Sequence, residues 1–171
     1  MKRKSTPEFS RPLQTDRVPK LGSTEKIKAE AEELKALARR LKIPALHALS
    51  AEIRATPWRG GGLKLEGHLT ADLEQVSVIS LEPFRETLSV PISRYFLPPA
   101  ALTATHEDED DADPIDNGWI DLGEVAAEVL ALDLEPYPRR PGEAFTDHIE
   151  AVDEPVEKQS PFAILAKRPP E

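Results

Sequence analysis

The stretch "GLKLEGHLT" alternates strictly between apolar and polar residues: Leu63, Leu65, Gly67 and Leu69 against Lys64, Glu66, His68 and Thr70. A period of two fits a strand with one face on a core and the other in water, and excludes an amphipathic helix. Three glycines, 60–62, precede it and separate it from "ALSAEIRATP". Glycines at that point suit a hairpin connection. No Gly-Lys-Ser/Thr follows, so they do not form a phosphate loop. "QVSVIS" (75–80) is predicted to continue the strand with Val76 and Val78 on one face. "ETLSVPISRYFLP" (86–98) reads as another strand, Pro91 marking a bulge or an edge. "PEFSRPL" (7–13) reads as a short edge strand. Strands joined by short turns imply an antiparallel sheet.

Helical periodicity appears twice. In residues 23–43, Ile27, Ala31, Leu34, Ala38 and Leu41 recur at three- and four-residue steps. Ser23 or Thr24 is the expected N-cap, Arg39, Arg40 and Lys42 suit the C-terminal end of the dipole, and Pro44 stops the element. In residues 119–145, Asp121 with Glu124 forms a capping pair, Leu122, Val125, Val129 and Leu132 form the stripe, and Pro136 and Pro138 end it. Ser160 and Pro161 start a short predicted helix near 160–168. The fold class is therefore α+β: about five antiparallel strands with two main helices packed against them. The 171 residues fit one domain, with a compact part at about 8–140, an acidic loop at 106–118 and a tail at 141–171.

Charge is distributed unevenly. Residues 1–64 hold 15 basic and 7 acidic residues, +8; the remainder holds 7 basic and 24 acidic residues, −17, giving −9 in total. Such halves fit two different partners, or one partner and an internal decoy for it; folding that mixes them would leave an ordinary acidic surface. The basic helix face, Lys28, Lys35, Arg39, Arg40 and Lys42, is the candidate RNA contact, with Arg139 and Arg140 added from a Pro-flanked turn. Interleaved Glu30, Glu32 and Glu33 equally fit a solvated, internally paired helix. With 2 Trp and 2 Tyr, an aromatic stacking platform is not expected. The acidic run Glu107, Asp108, Glu109, Asp110 and Asp111 is the candidate contact for a basic protein.

Catalytic and metal chemistry find little support. There is no cysteine, and His47, His68, His106 and His148 share no ligand spacing. Asp111 and Asp113 begin like an EF-hand, but Ile115 and Asp116 stand at its fifth and sixth positions and its last Glu is missing. Ser77 and Ser80 have no neighbouring base in sequence. The expectation is no enzyme, no cofactor and no metal. The "MKRKSTPEFSRPL" start has no signal-type apolar core and no run has membrane-spanning length, which points to the cytoplasm and no membrane partner.

"LEPF" (81–84), "IDLGEVAAEVLALDLEPYPRRPG" (120–142) and "KQSPFAILAK" (158–167) resemble the YceD-like family, the bacterial large ribosomal RNA subunit accumulation proteins. The resemblance runs from about Phe9 to Lys167. It implies a role in 23S rRNA accumulation and large-subunit assembly, with 23S rRNA or a pre-50S particle as partner and no established enzymatic activity. The family's genes commonly neighbour that of a large-subunit ribosomal protein, so escort of such a basic protein is the alternative reading. Some members carry Cys-x-x-Cys where this chain has Ser77 and Ser80. Neutral hydroxyls are poor zinc ligands, so metal use of that kind is not inherited here.

Overall fold

Alternation governs the longest elements. In the computed structural model, which describes residues 7–102 and 112–144, β3 (Ala45–Trp58), β4 (Gly62–Val76) and β5 (Pro83–Leu97) form a long antiparallel meander. β2 (Ser23–Lys28) lies antiparallel to β3, and β6 (Ala112–Pro114) pairs parallel to the end of β5. The five-stranded order is β2-β3-β4-β5-β6. A separate ribbon joins β1 (Pro12–Gln14) to β7 (Trp119–Asp121), with Leu13 opposite Ile120. The predicted hairpin is present: Gly60 and Gly61 in the β3–β4 connection have φ of 63° and 74°, which glycine adopts without steric cost. Pro91 pairs with His68 of β4 and has no strand on its other side, because β6 reaches no further than Tyr95, so it stands at an edge position, as expected.

Among the described residues, only one face of the sheet is covered. Leu49, Ile53, Leu65, Leu69 and Leu73 point into the core and are fully buried, each contributing about 1.5–3 kcal/mol. A bulge between Leu46 and Ala48 shifts the parity of β3, so Leu46 and Leu49 share that face. Helices α1 (Ala31–Leu41) and α3 (Leu122–Asp133) close the same apolar cluster through Leu37, Ala38, Val125, Ala126 and Leu130. A four-residue helix, α2 (Pro99–Leu102), follows β5.

Four expectations are corrected. The helix predicted from Ser23 begins only at Ala31; residues 23–28 are β2, with Ile27 buried opposite Ala51. Pairing with β3 satisfies this backbone, and the helix takes its start from a Glu30/Glu33 capping box, not from Ser23 or Thr24. "QVSVIS" is not continuous strand: β4 ends at Val76, and Val78 lies in a turn closed by Leu81 N–H donating to the Ser77 carbonyl. In α3, Leu132 is 78% exposed and Leu130 is buried in its place, because Ala126 and Ala127 centre the packed face between them. The predicted edge strand is shorter and later than 7–13; Phe9 goes into the core.

Asp121 ties the amino-terminal segment to α3. Its carboxylate caps the helix by accepting from Gly123 and Glu124 N–H, and also accepts from Arg11 N–H and Ser10 Oγ. The helix predicted near 160–168 lies outside the described residues. Among the described residues no helix is long and apolar enough to cross a membrane.

Candidate functional site

The cations singled out by sequence divide into those used internally and those presented outward. Arg40, on the last turn of α1, makes a two-pronged contact with Glu124 of α3 at 2.8 and 2.6 Å and reaches Glu8 at 3.1 Å. These carboxylates push its pKa further up, Glu124 foremost. Arg140 contacts Glu82 at 3.1 Å and the Pro83 carbonyl at 3.4 Å. Lys35 pairs with Glu32 one turn away, at 2.7 Å on an exposed surface. These three are engaged in holding the fold or the helix surface.

Lys28, Arg39, Lys42 and Arg139 are exposed and form no ion pair among the described residues. Lys42 takes the left-handed C-cap position of α1, with φ of 57°, where a cation suits the dipole. Lys42 and Pro138 line one groove of about 480 Å³ between the end of α1 and the segment after α3. The fold thus brings the end of α1 close to the Pro-flanked turn bearing Arg139, about a hundred residues on. Lys28 is not brought there. Its strand position, opposite Ser50, puts it on the uncovered sheet face, behind the layer that carries α1.

Glu107, Asp108, Glu109, Asp110 and Asp111 lie outside the described residues. Asp113, the second aspartate of the EF-hand-like spacing, is in β6 with its carboxylate 3.7 Å from Arg94 Nε. Arg94 occupies a core-facing position on β5 and also pairs with Glu128 of α3 at 3.0 Å, tying both elements to the sheet.

Ser77 turns out to have an acidic neighbour after all. It is fully buried; its Oγ accepts from Ile79 N–H at 3.2 Å and Ser80 N–H at 3.4 Å, and donates to the Glu143 carboxylate. The two hydroxyls, Ser77 foremost, hold Glu143 below the usual glutamate range. A buried hydroxyl has no approach for a substrate, so this cluster fastens the turn to the Pro138–Glu143 segment, aided by Val78 N–H to the Pro138 carbonyl at 2.9 Å. The exposed Ser80 sits at its rim.

Sequence reasoning missed the aromatic pair. Trp58 and Tyr95 meet on the uncovered face with ring centroids 4.7 Å apart. Arg59 lies over Trp58 at 4.4 Å and Lys64 lies 5.6 Å from the Tyr95 ring. Strand parity alone puts Trp58 and Lys64 on one face, but the Tyr95 contact depends on the β4–β5 register.

The family model described as "Large ribosomal RNA subunit accumulation protein YceD" matches residues 65–167, more than half of the chain. The match begins in β4 and takes in β5 and α3, and α1 precedes it. No curated protein matches, and no solved structure does.

Proposed function

The chain belongs to the YceD family of large ribosomal RNA subunit accumulation proteins, and from that premise we propose that it is a non-catalytic cytoplasmic factor for 23S rRNA accumulation and large-subunit assembly that contacts RNA electrostatically. The observation that supports this most is the set of outward cations, Lys28, Arg39, Lys42 and Arg139, which form no ion pair among the described residues. Arg39 and Lys42 stand at the end of α1, and Lys42 shares a groove with Glu135 and with Pro138, the chain neighbour of Arg139. Lys35, Arg40 and Arg140 add less, since their charges already have partners.

Binding of this kind draws its affinity from counterion release. Four phosphate contacts give a log–log salt slope of about −3 to −4. Anisotropy titrations of full-length protein against 23S fragments at rising salt test it: affinity should fall steeply. Binding that ignores salt would overturn the electrostatic account, and absence of binding would overturn RNA contact altogether.

The −17 charge of residues 65–171 favours a second reading, escort of a basic large-subunit ribosomal protein by Glu107–Asp111. Pull-downs with and without RNase separate the two. Ribosomal partners lost after RNase support RNA contact, and partners retained support escort. Deleting residues 107–111, which leaves β6 in place, should weaken only an escort complex.

A further inference from the structure

The uncovered face of the sheet carries a second, differently built surface. A groove of about 690 Å³ is lined by residues of β2, β3 and β4, with Lys26, Lys28, Arg54 and His68 among the hydroxyls of Thr24 and Ser50. The carboxylates on this part of the face are neutralised: Glu52 by Lys26 at 3.0 Å and Glu66 by Lys64 at 2.7 Å. Lys28 forms no ion pair among the described residues, and Arg54 gives one N–H to the Leu21 carbonyl, keeping further donors for a ligand. Counting Lys26, Lys28, Arg54 and neighbouring Lys64 against Glu52 and Glu66, this part of the face carries +2 in a protein of net −9.

Further along the same face Trp58 and Tyr95, both half-buried, pack on one another and the Arg59 guanidinium lies over Trp58 at 4.4 Å, so a base stacking on Trp58 would take the place of that guanidinium. Every nucleobase has a π-face, and bases stack on aromatic rings or on arginine planes. From Ser50 to Trp58 the face extends eight residues, about 27 Å, room for a short run of nucleotides. Of the large exposed apolar side chains, Leu21 precedes β2, Val76 ends β4 and the others belong to other segments, so the middle of this face lacks the apolar centre that a protein partner would bury.

We infer that the open face of β2–β5 binds a short single-stranded RNA segment, with an unpaired base stacked at Trp58 and Tyr95 and its phosphates along Arg54 and Lys28. The inference rests on the RNA contact proposed above and gives it a second site, one that distinguishes single strands from duplex. Duplex bases are already stacked and cannot reach these rings.

The test uses full-length protein with a labelled unstructured RNA decamer and an RNA duplex of equal length, read by anisotropy at fixed salt. Trp58→Ala and Tyr95→Ala should each weaken decamer binding about 5- to 100-fold, the range of one lost stacking contact, with duplex binding and the salt slope little changed. Decamer binding that survives both substitutions overturns the inference, and if Arg39→Ala/Lys42→Ala then abolishes it, the electrostatic RNA reading stands without this site. If wild type binds neither RNA, the RNA reading itself fails. A variant that does not fold leaves a second readout: the chain has 2 tryptophans, so Trp119→Phe makes Trp58 the sole indole. The decamer should quench its emission, the duplex should not, and an unquenched Trp58 at saturating decamer overturns the inference.

Discussion

The buried Ser77 hydroxyl donates to the Glu143 carboxylate, a partner 66 positions further along the chain. The same oxygen collects the N–H groups of Ile79 and Ser80, so one small side chain closes the turn after β4 and holds down the segment after α3.

Replacing that hydroxyl leaves several buried polar groups short of a partner. Ser77→Ala should lower stability by about 1–3 kcal/mol, read as a lower urea midpoint with unchanged slope. Ser80→Ala, at an exposed position, should cost much less. Equal effects at the two positions would show that burial at Ser77 carries no special weight.

Arg39 and Arg40 are neighbours in sequence with opposite employment. Arg40→Ala breaks the fork on Glu124 and the contact to Glu8, and should destabilise by about 1 kcal/mol, since the side chain remains a third exposed. Arg39→Ala should change stability by less than about 0.5 kcal/mol while weakening RNA binding and flattening its salt slope by about one. Denaturation and anisotropy on the two variants should therefore give crossed results.

Acid should unfold the protein through identifiable carboxylates. Glu33 is held below its ordinary 4.5 by the hydrogen bond from Arg11, and Asp72 below 3.8 by that from Arg85. In each case the folded state favours the ionised form. The resulting stability is complete above the ordinary values and disappears as pH falls through the lower folded ones. Urea midpoints should hold above about pH 5 and decline below about pH 4.5. Glu33→Gln should be less stable at neutral pH and should lose less on acidification; an identical decline would acquit Glu33.

Gly67 sits where β4 presses closest on β3. A Cβ there would stand 1.9 Å from the Glu52 carbonyl oxygen and 2.9 Å from its carbon, both backbone atoms that cannot step aside. Gly67→Ala should cost about 3 kcal/mol or more, seen in melting temperature or in loss of soluble protein. Thr70→Ala, on the solvent side of the same strand, should leave both unchanged.

Much of the fold was readable because its signals are local. Leu63, Leu65 and Leu69 announce a half-buried strand, glycines 60–62 its hairpin, and Asp121 the start of α3, each within a few residues. The error over residues 23–28 has the same origin. Ile27 and Ala31 share a helical spacing by coincidence, whereas the decision for strand comes from Ala51 on β3, which no local window contains. Of the candidate cations, the sequence identified charge but not employment, since Glu124 lies 84 residues from Arg40.

By itself, then, the sequence determined the periodicity of the long elements, β3, β4, β5 and α3, and which side of each meets the core, because side-chain direction repeats every 2.0 or 3.6 residues whatever the surroundings. Only the tertiary structure decided which charges are spent on one another, where Ser77 finds Glu143, and that Trp58 meets Tyr95. Those outcomes depend on strand register and helix docking, where a few ångströms separate a formed contact from none.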